Sequence, residues 1–284
     1  MLYLIFSIIC SVTVGVIFKI VKRYPVHITQ IIFWNYACAI MLCYLVFAPD
    51  LSTVDSSAPW HIYLPLAIML PSVFLFLAAS IKYMGIVKTD AAQRLSLIIP
   101  ILASYFIFAE NFNILKIIGL LIGFPAILLI LSKKDSMQGN RWVFPVVVLL
   151  GFGIIDVLFK QIAIAAVLPF TTSLLIIFCG ALIISLLVLV KELVLNSKKL
   201  KAVNFLFGLL VGAFNFGNIL FYLQAHKAYA SNPSTVFASM NIGVIVVGSL
   251  AGILLFKEKM SILNYAGLIL AVAAILFITL SQVY

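Results

Sequence analysis

The sequence predicts an all-α integral membrane protein: ten transmembrane helices, arranged as two inverted five-helix repeats. Three observations carry that expectation. The 284 residues are 65% hydrophobic and 9% charged, with a mean hydropathy of +1.28, where soluble domains average about 45–50% apolar and about 25% charged residues. The apolar residues gather in ten runs close to the roughly 20 residues that a helix needs to cross a bilayer core. The end of the second half also aligns with the end of the first. A chain of this balance cannot cover itself with a water-compatible surface, which excludes a soluble enzyme. Its net charge of +10 is scattered between apolar segments, so it forms no nucleic-acid-binding patch.

The ten runs are residues 2–21, 29–48, 62–81, 91–109, 114–132, 143–163, 171–190, 203–226, 234–256 and 262–281. Each is continuously apolar, whereas barrel strands alternate over about ten residues, so the runs are expected to be helices. The first run has no basic start and is followed by Lys22 and Arg23, which marks a retained span rather than a cleaved signal peptide. The longest connection, 49–61, has 13 residues and leaves no room for an extramembrane domain. Cys10, Cys38, Cys43 and Cys179 lie inside spans without CxxC spacing, as expected of small buried apolar side chains.

Lysine and arginine collect in cytoplasmic loops. Thirteen of them fall in the odd-numbered connections, among them Lys22, Arg23, Lys133, Lys134 and Lys259, while the even-numbered side holds only Lys227 and Lys116, the latter at the start of span five. This bias places the odd connections in the cytoplasm and both termini outside a cytoplasmic (inner) membrane.

At an offset of 148, FAENFNILKIIGLLIGFPAILLIL (108–131) aligns with FKEKMSILNYAGLILAVAAILFIT (256–279), with 10 of 24 positions identical, including Glu110 with Glu258 and Gly119 with Gly267. At an offset of 141, VIFK (16–19) falls on VLFK (157–160), matching Lys19 to Lys160. The chain divides on this basis into five-span units at 1–135 and 142–284. Five is odd, so the second unit enters the membrane from the opposite side, and residues 135 and 284 belong on opposite faces. Halves related in this way can open a central site to each side in turn.

Two five-span units, each with a Pro- or Gly-bearing fourth span ending in a Glu and then a Gly-containing fifth span, resemble the EamA-like members of the drug/metabolite transporter superfamily. The stretches concerned are PILASYFIFAENFNILKIIGLLIG and GSLAGILLFKEKMSILNYAGLILA, preceded by YMGIVKTDAAQ and AYASNPSTVFA. The resemblance implies a ten-helix secondary transporter whose central cavity is lined mainly by spans one to four and six to nine.

Charges near the bilayer centre cost roughly 2.5–3.5 kcal/mol on insertion scales and need a partner or a wet cavity. Asp156 comes thirteen residues after Val143, about 20 Å into a core of about 30 Å. Lys160 follows one turn later on the same face and can pair with it. The two are either a neutralising structural pair or a site in which Asp156 binds a substrate amine or takes up a coupling proton. Lys19, near the cytoplasmic end of span one, either snorkels or faces the cavity opposite its repeat mate Lys160. Arg94, one turn into span four, is an interfacial anchor or a cavity residue. With Asp156, these three cations leave two surplus positive charges within the spans, slightly favouring an anionic or zwitterionic substrate.

Asn215, Asn218 and Tyr222 follow i, i+3, i+7 spacing on one face of span eight, either packing helices together or facing a solute. Asn241 and Ser239 in span nine, and Asn35 and Tyr36 in span two, are candidates of the same kind. Trp34 could add an aromatic wall. Glu110 and Glu258 read as helix-end or interfacial groups, and the small-residue pairs Gly119/Gly123, Gly208/Gly212, Gly248/Gly252 and Gly267/Ala271 as close helix contacts. Pro71, Pro100 and Pro125 interrupt spans three to five. His27, His61 and His226 are scattered near span ends, without metal-ligand spacing.

The expected function is therefore secondary active transport of a small organic metabolite or drug, with export the direction suggested by the resemblance. No GxxxxGK[ST] loop is present, so the chain carries no Walker motif of its own. An intramembrane enzyme would need clustered acid, base, nucleophilic or metal groups, and a non-transporting scaffold would not need polar groups at mid-span. No cofactor or metal is expected. The partners are a small organic solute and the lipid bilayer, with no nucleic acid, and a homodimer is an arrangement the sequence leaves open.

Overall fold

The computed structural model describes residues 2–21, 24–52, 54–55, 57–84, 86–130, 141–165, 168–195, 198–257 and 261–281. Among them are eleven helices and no strand. They are α1 (Leu2–Val21), α2 (Ile28–Phe47), α3 (Trp60–Met84), α4 (Ile86–Leu95), α5 (Ile98–Phe106), α6 (Ile114–Ile130), α7 (Val143–Ile164), α8 (Phe170–Leu195), α9 (Ala202–Ala228), α10 (Pro233–Phe256) and α11 (Ile262–Leu280). Eight of these are long and apolar enough to cross a membrane, and α6 is apolar but shorter, at 17 residues. Large apolar side chains such as Leu121, Leu187 and Leu254 cover the outside of the bundle. Water would penalise that surface and lipid does not. Lys22, Arg23, Lys133, Lys134, Glu258, Lys259 and positions 135 and 284 lie outside the described residues.

The predicted fourth span departs from expectation, since it consists of two helices that meet at Ser96 and Leu97. Pro100 is the third residue of α5. It has no N–H to give to the carbonyl of Ser96, which weakens the helical ladder at this point, and proline fits the first turn of a new helix. Pro71 and Pro125 lie within continuous helices instead.

α6 and α11 run antiparallel, and side chains at their ends fix the pairing. Asn113, just before α6, donates from its amide to the Ser281 carbonyl at the end of α11, at 2.8 Å. Asn264, in the first turn of α11, donates to the carbonyls of Leu129 and Ile130 at the end of α6, at 3.0 and 2.7 Å. Each helix thus supplies donors for carbonyls that the other leaves open at its C-terminus. The described residues nearest to 135 and 284, namely Ile130 and Ser281, consequently lie at opposite ends of this pair. Between the ends the backbones touch through glycine. A Cβ built on Gly119 would stand 3.1 Å from the Ala274 carbonyl oxygen, and one on Gly267 would stand 2.9 Å from that of Ala126.

α2 and α9 start at the same end of the molecule. There the Asn204 amide donates to the Gln30 side-chain oxygen at 2.6 Å, and the Gln30 amide donates to the Lys199 carbonyl at 2.9 Å. Gly212 of α9 packs on the backbone of Asn35 in α2. α2 also packs on α8, α3 on both α7 and α8, and α1 on α9 and α10. At the opposite end Tyr63 of α3 and Ser173 of α8 share a 2.6 Å hydrogen bond. α7 packs on both α3 and α9, and the site lies where these helices converge.

Candidate functional site

A cavity of about 120 Å³ opens between α3, α7, α9 and α10. Its walls are mostly apolar: Leu70, Val73 and Phe74 from α3, Phe152, Ile155 and Phe159 from α7, and Met240 from α10. The polar groups on the walls are Asp156 of α7 and Asn215, Asn218 and Tyr222 of α9. The asparagine–tyrosine stripe of span eight and the deepest carboxylate of span six therefore meet in one space. Helical periodicity accounts for the stripe, since residues three and seven apart lie on one face.

The polar groups are ordered by one another. The Tyr222 hydroxyl donates to Asp156 Oδ1 at 3.0 Å. The Asn215 amide donates to Asn35 Oδ1 at 3.1 Å, which ties span two to the cavity through a residue that is not itself on its wall. The Ser7 hydroxyl donates to the Asn218 side-chain oxygen at 2.8 Å and lies 3.4 Å from Met240 Sδ. Asn241 bonds its amide to the Phe237 carbonyl at 3.1 Å and is not on the cavity wall.

Three of the candidate side chains take the alternative that lies off the cavity wall. Lys160 does not pair with Asp156. Its ammonium donates to the carbonyls of Ala230, at 2.8 Å, and His226, at 3.4 Å, and it stands 5.9 Å from the centroid of the Phe108 ring. Helical spacing allowed the pair, but the lysine stem reaches the end of α9, where open carbonyls accept a cation. Lys19 is likewise absent from the cavity wall, with its ammonium 3.9 Å from the Phe256 ring centroid. Trp34 provides no cavity wall either. It packs edge-on against Phe205, with centroids 4.8 Å apart, on the side where α2 meets Gly208 of α9. Arg94 of α4 is half-buried and off the wall.

Glu110 is a helix-end group, but a buried one. It accepts the Ser234 backbone N–H at 2.8 Å and the Ser234 hydroxyl at 2.7 Å, in the first turn of α10, and pairs with Lys116 at 2.5 Å. A carboxylate there meets both the open N–H groups and the positive end of the helix dipole.

Sequence reasoning missed Ser7 and His226. Ser7 is a lone hydroxyl in an apolar run, and nothing local marks it as facing Asn218. His226 had a signal, because it extends the 215, 218, 222 stripe by one more turn. It is fully buried between the rings of Tyr222 and Phe237, at centroid distances of 4.6 and 4.7 Å, and neither ring nitrogen has a partner among the described residues.

Residues 1–132 match the model of the EamA-like transporter family. An uncharacterized protein of Haemophilus influenzae is 39% identical over 283 aligned positions, covering 96% of this chain and 95% of its own. One solved crystal structure, 15% identical, superposes with a TM-score of 0.72 over 98% of this chain and 96% of that one. At that identity the likeness speaks for the fold alone.

Proposed function

The chain belongs to the EamA-like transporter family of the drug/metabolite transporter superfamily, and from that premise we propose that it is a secondary active transporter for a small organic solute, working by alternating access. Members of the family are transporters rather than enzymes. The observation that carries the proposal is the mid-bundle cavity, where Asp156, Tyr222, Asn215 and Asn218 converge among apolar walls. A pocket of this kind, with few but ordered polar groups, suits a small ligand.

In this proposal residues 1–135 and 142–284 are five-span units of opposite polarity, ten crossings in all, with the divided α4 and α5 making one. The helix pairing supports it. Contacts of α1 with α9 and α2 with α9 have counterparts in α7 with α3 and α8 with α3, and these trade places when the halves are exchanged. The Gly119–Ala274 and Gly267–Ala126 approaches are also one contact made twice, in an antiparallel pair as inversion requires. The positive-inside bias supports a cytoplasmic-membrane protein with both termini outside, and the family resemblance supports export.

Asp156 is assigned the coupling proton. The test is flux into vesicles, with and without a proton gradient, for labelled amino acids, nucleosides, sugar phosphates and cationic drugs. Asp156→Asn is expected to abolish proton-dependent movement of the solute that the wild type carries. Unchanged flux rejects the coupling role, and absence of flux for every class rejects transport.

A further inference from the structure

The geometry points to an amine-selective cavity: the space between α3, α7, α9 and α10 takes a solute carrying one ammonium group on a flat apolar body. This inference rests on the transport proposal above and names the class of its substrate. Charge counting along the spans favoured an anionic or zwitterionic solute, because Lys19, Arg94 and Lys160 outnumber Asp156. The fold removes the basis of that count. Lys160 is engaged with the carbonyls of Ala230 and His226, Lys19 stands over Phe256, and neither is on the cavity wall. Among the described residues the wall carries one acid, Asp156, and no lysine or arginine.

A carboxylate facing an apolar space in the membrane needs a positive partner there. No cationic side chain lines the space, so when the coupling proton leaves Asp156 the positive partner that replaces it arrives with the occupant. Its recognition is already prepared. Tyr222 holds one oxygen of Asp156 by donating to it at 3.0 Å. The Asn215 amide nitrogen is occupied by Asn35 at 3.1 Å, leaving its carbonyl oxygen as a second acceptor for an ammonium, which has three donors. The rings of Phe74, Phe152, Phe159 and Tyr222 complete the wall, and aromatic faces attract cations while accepting a flat apolar body. A carboxylate-bearing solute finds no cation on the wall, since Arg94, like Lys19 and Lys160, lies off it.

The test uses the full chain, purified in detergent at pH 8, and four probes that share a phenyl ring but differ in charge: phenethylamine, phenylethanol, phenylacetate and phenylalanine. Thermal stabilisation reads binding, because a ligand of the native state raises its apparent stability by mass action. Phenethylamine is expected to bind at least tenfold more tightly than phenylethanol and phenylalanine, with no shift from phenylacetate. In Asp156→Asn the preference for the amine is expected to vanish while weak phenylethanol binding persists, and Asp156→Glu is expected to keep the preference. If Asp156→Asn does not fold, the ranking of the four probes on the wild type decides alone. Equal or tighter binding of phenylacetate or phenylalanine overturns the inference, as does no binding by any probe to folded protein. Failure of the transport proposal reads differently: phenethylamine then binds but is not moved into proteoliposomes. Robust flux of solutes without an amine overturns the inference and leaves transport standing.

Discussion

A Cβ placed on Gly267 would stand 2.9 Å from the carbonyl oxygen of Ala126 and 2.8 Å from the amide nitrogen of Ile130. Both are backbone atoms of α6 and cannot step aside as a side chain would. Gly267→Ala is therefore expected to destabilise the protein by about 1–3 kcal/mol, the usual cost of overpacking, with Gly119→Ala behaving similarly. Gly248→Ala is the control, because the nearest atom beyond its own helix, Val12 Cγ2, is 4.0 Å away; it should change stability by no more than about 0.5 kcal/mol. Thermal unfolding in detergent compares them, and equal effects at Gly267 and Gly248 would refute the backbone contact.

Lys116 and Glu110 are almost wholly buried, and together they hold the start of α10. Removing one member of such a pair strands the other charge, at a cost of about 3–5 kcal/mol. Lys116→Met is expected to show that loss. Lys116→Met combined with Glu110→Gln should recover most of it, because a neutral amide can still accept from Ser234. A double-mutant cycle measures the coupling, and strictly additive losses would show that the two side chains stabilise the fold independently.

Most of the architecture was legible because it follows from hydropathy and local chemistry. The predicted run at 2–21 is α1 residue for residue, and several others are displaced by one to a few positions. The division of span four was half visible: Pro100 was noticed, but a proline in an apolar run can sit in a first turn, a kink or a break, and only tertiary packing selects among these. The site was legible where one helix presents it, as with Asn215, Asn218 and Tyr222. It was illegible where a long side chain chooses among distant partners. Lys160 can reach Asp156 by helical spacing, yet the carbonyls at the end of α9 hold it, and nothing in span six announces them. Ser7 shows the same limit from the other side, since its role exists only through Asn218, 211 positions away.

The hydrogen bonds behind the cavity wall make a separate claim. Ser7 orients Asn218, and Asn35 orients Asn215. Ser7→Ala and Asn35→Ala each remove one buried bond, worth about 1 kcal/mol. Each is expected to weaken solute binding roughly fivefold while the protein stays folded. Ser185→Ala is the control, because its hydroxyl donates to the Leu182 carbonyl within its own helix. Thermal shift with a bound solute separates them, and a loss of affinity as large at Ser185 as at Ser7 would contradict this support for the cavity.

Lys160 stands over Phe108, and its repeat mate Lys19 stands over Phe256, which is the repeat mate of Phe108. The same contact is thus made at both ends of the fold, but not equally closed. Phe108 and Phe256 are both partly exposed, but Lys160 and its neighbours Phe159 and His226 are buried, whereas Lys19 and Phe18 are partly exposed. Alternating access requires one end to loosen as the other tightens. With the native cysteines replaced, a cysteine at position 256 is expected to react readily with a membrane-impermeant thiol reagent from the cytoplasmic side, and one at 226 slowly from outside. Lys160→Met removes the donor to two carbonyls at the closed end. It should raise labelling at 226 and lower it at 256, while Lys160→Arg keeps the original pattern. Labelling that rises at both positions together would mean that Lys160 only holds the bundle tight, and the two ends would then not be coupled.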